Sequence, residues 1–163
     1  MPMLIAEELE VDLNRIQIEH APPDDKLYAN RLIGFQMTGG STSVRAFWEP
    51  LRRAGATARS MLVSAAAETW KVDAITCRAE SGQITHAPTG RKLAYGALVD
   101  KAATLPVPVP DRVALKDPKN FKLSGTPARR LDTPDKVNGR AEFGIDVKDP
   151  RYEDCDRCRL SRV

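Results

Sequence analysis

The sequence predicts an α+β fold in which a helix, a strand and a long helix precede a β-rich end. Two observations carry this prediction: residues 15–20 alternate between apolar and polar, and apolar residues recur every three or four positions from Ser43 to Trp70. The 163 residues are 42% apolar and 29% charged, which is typical of a globular protein. No apolar run approaches the length of a membrane span, and three cysteines are too few for a disulfide framework.

The first helix is predicted to begin at Pro2, because a proline in the first turn loses no hydrogen bond. Apolar residues at helical spacing form its buried stripe: Leu4, Ile5 and Leu9. Glu7 and Glu8 lie off that stripe. We therefore predict that these carboxylates belong to a solvated face and have no catalytic role.

A half-buried strand is predicted over "RIQIEH", residues 15–20. Ile16 and Ile18 point one way, whereas Arg15, Gln17 and Glu19 point the other. The prolines and aspartates of residues 21–30 then predict a loop.

A long helix is predicted from Ser43 to Trp70, with an alanine-rich part at 54–67. Pro50 should kink this helix or begin a second one, because proline removes a backbone donor. Small residues around Gly55 and Ala56 would allow another backbone to approach closely.

Shorter elements follow. Residues 74–79 and 83–87 predict two strands joined by a turn, and residues 90–105 have helical spacing. The prolines that follow predict an extended linker, which we place at 106–124. Residues 121–125 and 141–147 are strand-like and are separated by turn residues at 133–135 and 138–139.

The segment before the long helix raises a functional question, because two glycines and three hydroxyl residues run directly into it. A helix start leaves backbone N–H groups unpaired and concentrates partial positive charge. Ser41, Thr42 and Ser43 could simply cap the helix, or they could join Gly39 and Gly40 in cradling a phosphorylated ligand. The residues alone leave both interpretations open.

Other functional motifs are absent from the sequence. There is no P-loop, no dinucleotide fingerprint and no G-x-S-x-G elbow. Cys155 and Cys158 form one C-x-x-C without further ligands at suitable spacing, so we predict no metal site. Acidic residues interrupt the basic ones throughout, so we predict no nucleic-acid partner.

The order of segments resembles the molybdopterin-binding large subunit of the xanthine dehydrogenase and aldehyde oxidase superfamily, in particular the isoquinoline 1-oxidoreductase beta subunits and related bacterial aldehyde dehydrogenases. The resemblance is carried by four stretches, which cover most of residues 2–148: "PMLIAEELEVDLNRIQIEHAP", "YANRLIGFQMTGGSTSVRAFWEPLRRAGATAR", "LKDPKNFKLSG" and "RLDTPDKVNGRAEFGIDV".

The resemblance implies a cofactor, molybdopterin cytosine dinucleotide, held by glycine-rich loops. It assigns cofactor-binding roles to one segment: Gln36, Thr38, Gly39, Gly40, Ser41, Thr42 and Ser43. It implies two partners, the remainder of the large subunit and a small iron–sulfur (2Fe-2S) subunit. It also divides the chain into a partial molybdopterin-binding subdomain (1–105), the linker (106–124), the start of an α/β hammerhead domain (125–150) and an unrelated tail (151–163).

The departures from the family are equally informative. The family's G-Q-G-type loop and its glutamate general base have no counterpart in these residues, so no residue is assigned as catalytic. A truncated or frame-shifted reading frame would explain both ends. We therefore expect an N-terminal fragment that is inactive alone and cytoplasmic as it stands, with export of the parent enzyme left open. The alternative is a cofactor-free structural or binding module with the same fold.

Overall fold

The first 126 residues build a long helix flanked by a short helix and a small sheet. The computed structural model describes residues 1–130 and 132–147. Met1–Thr126 forms one compact unit, and the described residues after it belong to a second unit that begins at Pro127. The first unit contains α-helices and an antiparallel three-stranded sheet, so the α+β prediction is confirmed.

The described part of the chain contains these helices and strands: α1 (Pro2–Leu9), α2 (Asp25–Tyr28), α3 (Thr42–Trp70), β1 (Cys77–Glu80), β2 (Gln83–His86), β3 (Lys92–Ala94), α4 (Val99–Ala103) and α5 (Thr133–Val137). Several single 3₁₀ turns connect them. No helix in this part of the chain is both long enough and apolar enough to cross a bilayer.

Helix α3 organises the unit and continues through Pro50 to Trp70, so no second helix begins at the proline. Helix α1 packs against it at Gly55. A Cβ added at Gly55 would lie 2.7 Å from the carbonyl oxygen of Ile5, so only glycine fits without displacing backbone. The close backbone approach predicted from the small residues is confirmed.

The hydrophobic core lies between the second half of α3, the sheet and α4. Its buried members are Leu62, Ala65, Ala66, Ala67, Cys77, Ile84, Leu98 and Ala102. The strand order is β1-β2-β3, with Cys77 opposite His86 in the first pair. Ser81 and Gly82, both at positive φ, form the two-residue turn that joins β1 to β2. The predicted hairpin is therefore confirmed.

The strand predicted at residues 15–20 is wrong. Leu13–Arg15 forms a 3₁₀ turn, and residues 16–22 have no assigned secondary structure. Alternation reveals which side chains share a face, but a strand also needs a neighbouring backbone to pair with. Nothing in the described part of the chain pairs with this segment.

Two later predictions also need correction. The helix predicted over 90–105 shortens to α4, because Lys92–Ala94 pairs with β2 as strand β3. The strand-like stretches 121–125 and 141–147 form turns and irregular backbone, and α5 occupies the predicted turn at 133–135. The hammerhead assignment for 125–150 stays a prediction, and Cys155, Cys158 and the rest of the predicted tail lie outside the described residues.

Candidate functional site

The segment that enters α3 turns sharply at two consecutive residues. Gly40 and Ser41 both have positive φ, at 56° and 53°. Ser41 occupies the N-cap position, but its side chain forms no capping hydrogen bond in the described part of the chain. The first turn of α3 also carries no acidic residue. The partial positive charge of this helix end is therefore not offset by a capping side chain or a first-turn carboxylate.

Thr42 closes the loop that precedes the helix. Its hydroxyl donates to the Gly39 carbonyl at 2.7 Å and accepts from Asn30 Nδ2 at 2.8 Å. Asn30 is 1% exposed, and its own side-chain oxygen accepts from the Leu32 amide. Sequence reasoning missed Asn30, because an asparagine in a predicted loop gives no sign of burial.

Gln36 is also engaged within the chain. Its Oε1 accepts from the Asp24 amide at 2.9 Å, and its Nε2 donates to the Pro22 carbonyl at 3.2 Å. Its backbone amide donates to the Asp25 carboxylate. The Gln36 side chain therefore connects residues 22–25 to the segment that enters α3. Its hydrogen bonds would have to break before the Gln36 side chain could bind a ligand.

An open groove of about 990 Å³ lies beside this segment. Three of the seven predicted site residues line it: Gln36, Thr38 and Ser43. The other four, Gly39, Gly40, Ser41 and Thr42, do not. Most of the lining is apolar and includes Ile5, Ile16, Ile18, Leu27, Met37 and Phe47.

Some of the groups at the groove and at the start of α3 are suited to bind a phosphorylated ligand, and others are not. The hydroxyls of Thr38, Ser41 and Ser43 form no side-chain hydrogen bond within the described residues, so they can donate to ligand oxygens. The side chains of Gln36 and Thr42 are already bonded. The apolar lining would suit a planar ring better than a chain of phosphates.

A second cluster of polar side chains is formed by the carboxylates of α1 and their partners. Glu7 and Glu8 are 2% and 0% exposed, so the prediction of a solvated acidic face is wrong. Helix α1 is enclosed by α3 and by residues 114–124, and the partners of the two carboxylates are distant in sequence. The helical pattern of α1 alone could not reveal them.

Glu8 binds two arginines of α3. Its carboxylate lies 2.7 Å from Arg52 Nη2 and 3.3 Å from Arg59 Nη1. It also accepts from the Lys116 amide at 3.0 Å. The Arg52 guanidinium also contacts two neighbouring aromatic rings, 5.4 Å from the centre of Trp48 and 5.0 Å from that of Phe121.

Glu7 lies in a nest of donors. It accepts from Lys116 Nζ at 2.6 Å and from the amides of Lys122, Leu123 and Ser124 at 2.9, 2.7 and 2.8 Å. Burial by itself would raise the pKa of Glu7, but these hydrogen bonds outweigh it and lower the pKa to about 2. The carboxylate is therefore ionised at neutral pH and fastens residues 116–124 to α1.

Glu10 and Tyr95 extend the cluster. Burial opposes ionisation of Glu10, but Lys116 and Lys122 at 2.7 and 3.0 Å lower its pKa. The Tyr95 hydroxyl donates to the Leu9 carbonyl at 2.7 Å, and burial, with the charge of Glu10, raises its pKa to about 12. Within the segment predicted as a linker, 106–124, Lys116 and residues 122–124 are thus hydrogen-bonded to Glu7, Glu8 and Glu10 in the first unit.

These partners indicate a structural role for the acidic cluster. Every carboxylate in it already faces a cation or a backbone amide, and none lines the groove. The groove and the start of α3 are therefore the candidate functional site, and the acidic cluster fixes α1, which forms one wall of that groove.

Comparison with known proteins shows that the chain belongs to the family of molybdopterin-binding large subunits of oxidoreductases. It is similar to the isoquinoline 1-oxidoreductase subunit beta of Brevundimonas diminuta, with 33% identity over 92% of this chain and 23% of that protein. No protein-family model matches the chain.

A second relative is a membrane-bound aldehyde dehydrogenase of Gluconacetobacter polyoxogenes, with 31% identity over 89% of this chain and 18% of that protein. Its name gives pyrroloquinoline quinone as its cofactor. The chain thus spans about a fifth of the length of both relatives.

Proposed function

We propose that this chain forms part of the cofactor-binding framework of a molybdenum hydroxylase large subunit. The observation that carries the proposal is the uncapped start of α3, reached through the left-handed pair Gly40 and Ser41 beside an open groove. The relationship to isoquinoline 1-oxidoreductase subunit beta supports molybdopterin cytosine dinucleotide as the ligand.

Three hydroxyls would hold the phosphorylated part of the cofactor. Thr38, Ser41 and Ser43 would donate hydrogen bonds to phosphate or pterin oxygens, and the positive end of α3 would favour their negative charge. Gly39 and Gly40 would allow close backbone approach. Gln36 and Thr42 would act indirectly, by holding the segment in shape through their present hydrogen bonds.

The bound cofactor would supply oxidation chemistry, in which an N-heterocycle or an aldehyde gains an oxygen atom derived from water. This chain's residues would bind and orient the cofactor and shield one edge of it from water. The general base and the electron-accepting iron–sulfur subunit would come from other parts of the enzyme. We therefore expect no substrate-dependent dye reduction from the 163-residue chain alone.

A binding measurement tests the proposal. The chain is titrated with molybdopterin cytosine dinucleotide while its thermal midpoint is recorded, and pyrroloquinoline quinone is titrated in parallel. The expected result is a rise in midpoint with the dinucleotide alone, because a ligand that binds the folded state stabilises it. A rise with the quinone alone would contradict our choice of cofactor.

Matched variants locate the binding. The double variant Ser41→Ala and Ser43→Ala should lose most of the rise, whereas Ser64→Ala, on the same helix but away from its start, should keep it. If the dinucleotide still raises the thermal midpoint of the double variant, the cofactor binds elsewhere on the chain.

The alternative is a cofactor-free structural module, and the internal bonds of Gln36 and Thr42 favour it, since neither side chain is free for a ligand. It predicts a cooperative thermal transition whose midpoint responds to neither cofactor.

A further inference from the structure

One edge of the groove is a stretch of backbone that is unpaired within residues 1–130 and 132–147. The amides and carbonyls of residues 17–21 form no hydrogen bond within the described part of the chain. Ile18 is 51% exposed, and Leu27, which also lines the groove, is 73% exposed. Alternating side chains on an open backbone edge are the features of a strand that pairs with another chain.

The sequence of this edge is complementary to itself. In "RIQIE", residues 15–19, an antiparallel copy centred on Gln17 would place Ile16 opposite Ile18, and Arg15 opposite Glu19. Both apolar and charged pairs would therefore match across a two-fold axis. Directly opposed side chains of this kind stabilise antiparallel strands, and like charges in the same positions destabilise them.

The available backbone groups also match this register. The Arg15 and Ile16 amides are already used, because they donate to the Asp12 and Leu13 carbonyls at 3.0 and 3.2 Å. The amides of Gln17 and Glu19 donate no hydrogen bond within the residues that the structure describes. In the centred register, each copy would donate these two amides to the Gln17 and Arg15 carbonyls of the other, which gives a symmetric set of four hydrogen bonds. The Arg15 amide would keep its bond to the Asp12 carbonyl and would not add to this set.

We propose that residues 15–19 form an antiparallel pair with the same residues of a second copy of this chain, so that two grooves close against each other around a two-fold axis. The inference does not depend on the proposed cofactor. Such a contact is isologous, because the same patch is used by both copies. The paired segment is short, so the dimer should be weak and concentration-dependent.

Sedimentation equilibrium of the whole chain over a wide concentration range tests the pairing. The expected average mass rises from 18.0 kDa toward twice that value as concentration increases. Arg15→Glu and Glu19→Arg should each raise the dissociation constant about tenfold, because each opposes like charges twice per dimer. Mixing the two variants should restore association, since every opposed pair is then complementary.

The control is Arg78→Glu, which changes an exposed arginine of β1 and alters the net charge as Arg15→Glu does. It should associate like the wild type. The proposal fails if the wild type stays monomeric at every concentration, which would leave the edge to a strand from a different polypeptide. It also fails if the chain dimerises but the mixed variants do no better than either variant alone.

Discussion

Arg52 Nε donates a hydrogen bond of 2.8 Å to Glu8 Oε1, and both side chains are buried although the two residues lie 44 positions apart in the chain. The pair joins α1 to α3, and the Arg52 Nη2 atom extends it to the Lys116 carbonyl at 2.6 Å. Three separate segments thus meet at one carboxylate, which makes Glu8 a sensitive place to test the fold.

Replacing Glu8 by glutamine should destabilise the protein by about 3 kcal/mol, because it leaves the Arg52 guanidinium buried without a counter-charge. Urea denaturation measures the change. Glu49→Gln is the matched control, since Glu49 is an exposed partner of Arg53 on the same helix as Arg52. That variant should change stability by less than about 1 kcal/mol. If Glu8→Gln and Glu49→Gln lower the free energy of unfolding equally, Glu8 is not a stabilising buried counter-charge of Arg52.

Gly55→Ala should destabilise the protein by about 1 to 3 kcal/mol, although alanine favours helices more than glycine does. The added methyl group would lie 2.7 Å from the Ile5 carbonyl oxygen and force α1 away from α3. The thermal midpoint reports the loss. Gly96→Ala provides the comparison, because no atom of the described residues lies within 4 Å of its added Cβ. A midpoint for Gly55→Ala at or above that of Gly96→Ala would contradict the close contact.

The stability of the first unit should fall in acid through Glu7. Its folded-state pKa, about 2, lies below the ordinary 4.5, so its stabilising effect is complete above pH 4.5 and is lost as the pH falls toward 2. The free energy of unfolding, measured from about pH 7 to about pH 3, should decline less steeply in Glu7→Gln than in the wild type. Glu80→Gln, at an exposed glutamate on β1, should retain the wild-type slope.

Thr42→Val should loosen the segment that enters α3. It leaves Asn30 Nδ2 buried without an acceptor, and such a loss costs about 1 to 3 kcal/mol. Amide hydrogen exchange should accelerate in residues 30–42 more than in the sheet. Thr57→Val, on the same helix and without a side-chain hydrogen bond in the described residues, should leave that exchange unchanged. Uniform acceleration across the unit would argue against a local role.

Much of the local structure could be predicted from the sequence alone. The spacing of apolar residues predicted α1, α3 and the β1–β2 hairpin, because these patterns reflect the geometry of single elements. Gly55 and its small neighbours also predicted the close packing of α3. The same reasoning assigned a cofactor-binding role to the glycines and hydroxyls at the start of α3, and that role stays a prediction.

Tertiary structure decided the rest, because it depends on partners distant in the chain. Glu7 and Glu8 were predicted to be solvated, yet cations and amides 44 to 117 residues away bury them. Residues 15–20 alternate as a strand would, but no neighbour in the described chain completes it. A sequence pattern records which side chains of one segment share a face, whereas burial and pairing are set by the second surface that meets that face.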